Sequence, residues 1–189
     1  MSDFASSGLE EIGRSCLDAL SRAALDKRSP HRWPVLITGG MDGGGQGRIV
    51  VLRRFDRVRR QAEIWTDRRS AKVAELTKQP KATLLFFDKS KMIQMRAMGT
   101  VEIVISGDTW ETRLEQAGRA GLDDYTTTLA PGSPLGDGEI TRQISLERET
   151  FTLVRVSIDQ LDWLHLSRDG HRRALLDWRS GAEHMWQVP

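Results

Sequence analysis

A single cysteine, Cys16, leaves this chain without a disulfide framework or a thiolate metal cluster. Its four histidines form no His-x-x-x-His pair and have no accompanying carboxylate cluster, so no zinc or iron pattern emerges. No apolar run approaches the ~20 residues of a membrane span. The start, Met1-Ser-Asp-Phe4, lacks the basic-then-apolar layout of a signal peptide, and a cytoplasmic location is expected. Internal repeats and low-complexity tails are absent, as is any Ser-His-Asp or Cys-His catalytic arrangement. What is present is 189 residues, 39% hydrophobic and 29% charged, which is enough for one domain (1–189) with a buried core.

The net charge is +2, so nothing drives the whole chain toward nucleic acid, but the charge is uneven. Residues 48–96 hold fourteen Arg and Lys against five Asp and Glu, and residues 100–150 hold ten acids against four Arg. Such asymmetry can mark a nucleic-acid face. A solvated surface with one anion site explains it with fewer assumptions.

Apolar residues recur at helical spacing from Leu9 to Leu25, predicting an amphipathic first helix within 1–29. Trp33–Thr38 reads as a strand. Gly39–Gly47 has six glycines in nine residues, yet a β-branched strand follows it rather than a helix. A hairpin connection therefore fits better than a dinucleotide loop. Strands are predicted at 49–54, 62–66, 82–87, 92–105, 151–157, 160–166, 171–178 and 185–188, with a bulge or close approach at Gly99. Helices are predicted at 70–78 and 108–120, and residues 122–139 read as a mobile loop. Mostly antiparallel strands with a few helices suggest a closed or half-closed barrel.

The richest stretch runs from Arg48 to Gly99. Arg48-Ile-Val-Val-Leu-Arg53 is a strand with a cation at each end. Trp65-Thr-Asp-Arg-Arg-Ser-Ala-Lys72 leads from a strand into a helix, and Gln94 stands five residues before Gly99. Thr66, Ser70, Arg48, Arg69 and Lys72 thus gather at one strand-to-helix junction. A helix N-terminus supplies free N–H groups and a positive dipole end, so added cations and hydroxyls make a phosphate seat. The guest implied is an anionic cofactor or a phosphorylated small molecule.

In this order, and with Trp163 followed ten residues later by Arg173, these motifs resemble the pyridoxamine 5′-phosphate oxidase-like FMN-binding split-barrel family. The resemblance implies a mainly β (α+β) fold, an antiparallel FMN-binding split β-barrel with peripheral helices. It also implies a homodimer with FMN at the subunit interface. Carried over by position, Arg48 and Lys72 bind the FMN phosphate with Ser70 and Arg69, and Ile49, Val50, Val51 and Leu52 lie along the isoalloxazine ring. Trp65 and Thr66 line the same pocket, while Gln94, Trp163 and Arg173 complete it, partly from the second subunit. Arg53 keeps a basic position that the family uses for its substrate's phosphate. His171 is the candidate acid, base or orienting group.

The sequence departs from the family in its substrate seat. Where a Tyr, an Arg and a Ser are expected on the helix after Gln94, the chain has Thr112, Gln116 and Ala120. The final Arg-x-His-x-Arg reads Asp169-Gly-His-Arg-Arg173, and an acid there repels a substrate phosphate. The flavin seat is kept and the pyridoxamine phosphate seat mostly is not. An FMN-dependent oxidoreductase acting on another small molecule is expected, and a flavin- or ligand-binding module without turnover is the alternative.

Overall fold

The computed structural model describes residues 8–119, 129–137 and 148–189, so half of the expected mobile loop 122–139 lies outside the described residues. Helix α1 (Leu9–Leu25) follows its apolar spacing and buries Ile12, Gly13, Cys16, Leu20 and Ala23. Leu25, expected in that stripe, is exposed because the helix ends there, its last turn closed by Asp26 N donating to Arg22 O at 2.8 Å. A 3-10 turn, Pro30–Arg32, then brings the buried Arg32 back under the helix end. Its Nη1 donates to the carbonyls of Ala23 (3.2 Å), Ala24 (2.6 Å) and Leu52 (2.6 Å). A cation at a helix C-terminus satisfies orphan acceptors and favours the dipole. Here it also ties α1 to the strand segment beneath it.

Among the described residues nine strands build the sheet: β1 (Val35–Gly39), β2 (Gly45–Ile49), β3 (Arg54–Asp56), β4 (Gln61–Asp67), β5 (Lys81–Asp88), β6 (Ile93–Val104), β7 (Phe151–His165), β8 (Arg172–Asp177) and β9 (Met185–Gln187). Helix α2 (Ala71–Lys78) lies between β4 and β5, and α3 (Asp108–Arg119) follows β6. The order is β2-β1-β5-β6-β7-β4-β3, all antiparallel, with β8 pairing β7 and β9 pairing β8. The sheet does not close among the described residues.

The split has two causes. On one edge β7 follows β6; on the other it pairs β4 through Phe151–Ser157 and then β8 from Gln160 onward. The changeover falls on a bulge, where Met98 pairs Gln160 but Gly99 pairs Ile158, leaving Asp159 as the extra residue. The expected strands 151–157 and 160–166 are therefore one strand. Ile158 N donates to Arg60 O and Trp178 N to Asp159 O, each at 2.9 Å, so the junction never loses its hydrogen bonds.

The second cause is the segment Val50–Arg53, which joins the two ends of the sheet. Val50 N donates to Pro34 O and Leu52 N to Arg32 O, while Arg53 N donates to Glu63 O on β4, all at 2.9 Å. The expected strand 49–54 is thus interrupted, because this segment changes partners midway. Gly39–Gly47 is a hairpin as expected, but a tighter one: Gly40 N donates to Gly44 O at 2.6 Å, Gly43 takes φ 86°, and β2 already begins at Gly45.

The main core packs α1 against the inner face of the sheet, with Leu36, Leu52, Ile64, Leu84, Phe86, Met95, Leu161, Trp163 and Leu176 among its buried members. A second cluster beneath α3 joins Trp65, Trp110, Ala117, Phe151 and Leu153. There Trp110 Nε1 donates to Phe151 O at 3.2 Å, and the Trp65 and Phe151 rings meet nearly edge-on at 5.9 Å.

Gly99 permits the close approach at the bulge. A Cβ there would stand 2.7 Å from the Ser157 carbonyl carbon and 3.1 Å from Ile158 Cα, both backbone atoms that cannot swing aside. Gly99→Ala is expected to lower unfolding free energy by ~1–3 kcal/mol, the usual cost of overpacking. Urea unfolding checks this, and an unchanged midpoint and slope would contradict it.

Candidate functional site

The β4–α2 junction follows from its sequence. Asp67 ends β4 and accepts the backbone N–H of Arg69 at 2.7 Å, forming an Asx turn. Ser70 is the N-cap residue, but its hydroxyl donates back to Asp67 O (2.7 Å) and caps no helical amide. The first amides of α2 thus have no side-chain acceptor. Lys72, in that first turn, is held by a hydrogen bond from Nζ to Thr66 Oγ1 at 3.0 Å.

Beside this junction lies a cavity of about 260 Å³ lined by Trp33, Ile49, Val50, Val51, Trp65, Thr66, Asp67, Lys72 and Pro131. It has an apolar strand wall and an aromatic pair at one side, with a cation over an uncapped helix start at the other. Burial holds the Lys72 ammonium below its ordinary value, and the positive charge of Arg48 adds to this against the opposite pull of Asp67 and Glu75. A buried cation pressed by a second cation favours an anionic guest. These residues fit a flat ring carrying a phosphate.

Arg48 is less free than its sequence position suggests. Its Nη2 reaches Glu75 Oε2 of α2 at 2.7 Å, Nη1 bonds Thr38 Oγ1, and Thr38 Oγ1 in turn donates to Glu75 Oε2 at 2.6 Å. Arg69 forms a fork with the buried Asp67, with Nη2 to Oδ2 at 2.7 Å. Both cations therefore arrive with a carboxylate in place. Arg53 lies over the Trp65 ring, 5.4 Å from its centroid.

Two expected members fall in the main core. Leu52 is fully buried in the main core, because alternate residues of the bridging segment point to opposite sides. Trp163, 1% exposed, belongs to the same core on the inner face of β7, and does not line the cavity.

Gln94 and Arg173 share one cross-strand row, Gln94–Leu164–Arg173, on the opposite face. Arg173 forks onto Asp162, with Nε to Oδ1 at 3.1 Å and Nη2 to Oδ2 at 2.7 Å, and Arg96 bonds the same carboxylate. Along the sheet, β6 is three strands and β8 five strands from β2, roughly 14 and 24 Å at the usual strand spacing. Within one chain neither residue lines the cavity. His171 sits on the exposed turn before β8, its Nδ1 accepting Ser167 N–H at 3.2 Å.

Sequence reasoning missed Thr38, Asp67, Glu75, Trp33 and Pro131. Glu75 stood one helical turn after Lys72, a spacing that places both on one face of α2. Thr38 and Trp33 gave no local signal, since only the pairing of β1 with β2 brings them to this place.

Residues 17–105 match the FMN-binding domain of pyridoxamine 5′-phosphate oxidase. The chain is 25% identical over 142 residues to pyridoxine/pyridoxamine 5′-phosphate oxidase 2 of Arabidopsis thaliana, covering 69% of this chain and 72% of that protein. It is 43% identical to the pyridoxine/pyridoxamine 5′-phosphate oxidase of Caulobacter vibrioides over 67 residues, 35% of this chain and 29% of that one. Its fold is similar to a pyridoxamine 5′-phosphate oxidase-related, FMN binding protein of Nostoc punctiforme, with TM-score 0.67 and 22% identity over 93% of this chain and 97% of that one. It is also similar to PhzG of Burkholderia lata, solved with tetrahydrophenazine-1-carboxylic acid, with TM-score 0.70 and 16% identity over 100% of this chain and 97% of that one. The matched stretch contains every residue lining the cavity except Pro131, and through it the chain resembles the FMN-binding family of pyridoxamine 5′-phosphate oxidase.

Proposed function

We propose that this chain is an FMN-dependent oxidoreductase working as a homodimer on a small molecule other than pyridoxamine 5′-phosphate. The observation that carries this is the cavity in which Ile49, Val50, Val51, Trp65, Thr66 and Lys72 meet beside an uncapped helix start. FMN, when bound, supplies a ring able to accept or give up a hydride. The chain's own residues do the rest. Lys72 and the first amides of α2 hold the phosphate, with Arg48 fixed beside them by Glu75. Ile49–Val51 and Trp65 shelter the ring from water. The test is anaerobic reduction of the FMN-loaded protein by NADH or NADPH, followed by reoxidation with oxygen. Bleaching and recovery of the flavin absorbance support an oxidoreductase. Retained FMN inert to both reagents favours the binding-module alternative.

The departure in substrate rests on side chains of α3. The Thr112 hydroxyl is spent on Asp108 O (2.9 Å), and Gln116 accepts from Arg113 Nη1 (3.4 Å). Neither offers the phenol or cation of a pyridoxamine phosphate seat. Ala120 lies outside the described residues. Asp169 stands on the exposed turn with His171.

For the phosphate seat, Lys72→Gln is expected to weaken FMN binding about ten- to a hundredfold, the worth of one charge-assisted contact. Riboflavin, lacking the phosphate, should bind both proteins alike in fluorescence titration. Arg48→Ala is a poorer probe, because it leaves Glu75 buried without its cation. The pH profile adds a sign. Lys72 must be charged to hold the phosphate, and burial lowers its pKa from the ordinary 10.5, so FMN affinity should fall as pH rises through that lowered value. The fall should be absent in Lys72→Gln.

A homodimer is supported by the outer sheet face. Trp33 (58% exposed), Ile49 (69%) and Phe87 (47%) stand among the half-buried Val35, Ile37 and Leu85. Gln94 and Arg173 share that face, so a second copy packed on it would bring them to a cavity their own chain keeps them from. Phe87→Glu should give a monomer by light scattering and lower FMN affinity at least tenfold. A wild-type monomer retaining FMN at micromolar concentration would contradict this reading.

A further inference from the structure

A second cavity is larger than the flavin pocket. About 550 Å³ opens between α3 and the β3–β4 hairpin, lined by Arg54, Phe55, Asp56, Arg59, Gln61, Glu63, Thr109, Arg113 and Arg155. It shares no lining residue with the flavin pocket. Four guanidinium groups face two carboxylates.

Register explains how the cations converge. Arg54, Glu63, Arg155 and Glu102 form one cross-strand row over β3, β4, β7 and β6, and Arg113 descends from α3 onto the same point. Glu63 is buried and accepts three donors: Trp65 Nε1 at 3.0 Å, Arg113 Nε at 3.0 Å and Arg155 Nε at 3.4 Å. Both arginines are gripped through Nε, so their terminal Nη groups extend past the carboxylate. Of these, Arg113 Nη1 bonds Gln116 weakly (3.4 Å), and Arg155 Nη1 approaches the exposed Glu102 at 3.6 Å. Their Nη2 groups make no hydrogen bond among the described residues. The Arg54 side chain, directly across from Glu63, makes no hydrogen bond or ion pair among them. Arg59 pairs with Asp56 at 3.3 Å on the rim.

Two arginine side chains 15% and 16% exposed, sharing one carboxylate, are a poor arrangement unless a further anion completes it. Counting Glu102, positive charge is still in excess. Donor forks of this kind match tetrahedral oxyanions, and Phe55 offers an apolar surface beside them. We propose that this cavity is a second ligand site that takes a phosphate monoester. Arg54, Arg113 and Arg155 grip the phosphate, and Glu63 acts as the positioning residue that aims two of them. The proposal does not rest on the flavin reading.

The experiment is calorimetric titration of FMN-saturated protein, freed of excess FMN, with phenyl phosphate, inorganic phosphate and phenol in parallel. Saturable binding of phenyl phosphate is expected, weaker binding of inorganic phosphate, and none of phenol. Arg54→Gln, an exposed change that disturbs no contact, should weaken phenyl phosphate at least fivefold, and Arg54→Glu should abolish it. Arg113→Gln should weaken it at least tenfold, with folding verified by circular dichroism. Raising salt should lower the affinity. Absence of binding by wild type at millimolar ligand overturns the proposal, as does equal binding by Arg54→Glu. Loss of binding in Lys72→Gln, with Arg54→Gln unaffected, places the ligand in the flavin pocket and also overturns it.

Discussion

Four residues, Val50–Arg53, hold the architecture and the site together through their backbone hydrogen bonds. Their amides donate to Pro34 and Arg32 at one end of the sheet and to Glu63 at the other. One short segment therefore spans a sheet that does not otherwise close. Its inward residue Leu52 anchors in the main core, and Arg32 binds the Leu52 carbonyl while capping α1. Ile49 and Val51 are left facing the cavity. The wall of the pocket is thus rigid because it also carries the fold.

The arginines expected in the site follow one rule. Arg48 has Glu75, Arg69 has Asp67, and Arg173 shares Asp162 with Arg96. Each carboxylate is buried and fixes the orientation of a longer, more exposed side chain. Among the described residues Lys72 has only a hydroxyl, Thr66, as its side-chain hydrogen-bond partner, and it is the cation whose pKa burial pulls down. In electrostatic terms an incoming phosphate gains most from Lys72 and the open amides of α2, while Arg48 adds geometry as much as charge.

Local pattern carried much of this into the sequence. The helices, the long β6 strand and the Gly99 bulge were legible because spacing and glycine placement have local physical meanings. The junction Trp65–Lys72 was legible because turn, cap and cation stand within eight residues. What escaped depends on pairing between distant strands. Nothing near Asp159 marks it as the place where β7 changes neighbours, since that requires β4, β6 and β8 all to be in position. Leu52 and Trp163 lie in the main core of their own chain for a related reason: a motif gives the residue, but the pleat decides which face it occupies.

Gln94 and Arg173 are placed by the same pleat. Their row lies on the outer face, several strands from the cavity that the first half of the chain builds. The outer face also carries Ile49 and Phe87, both substantially exposed. A face that is apolar around a fixed Arg96–Asp162–Arg173 cluster is suited to contact with a surface that matches both features. In the proposed homodimer, a second copy of the same face would provide the apolar match to itself. In that arrangement the ion pairs on Asp162 hold Arg173 in one orientation before any partner arrives, which lowers the side-chain entropy lost on assembly.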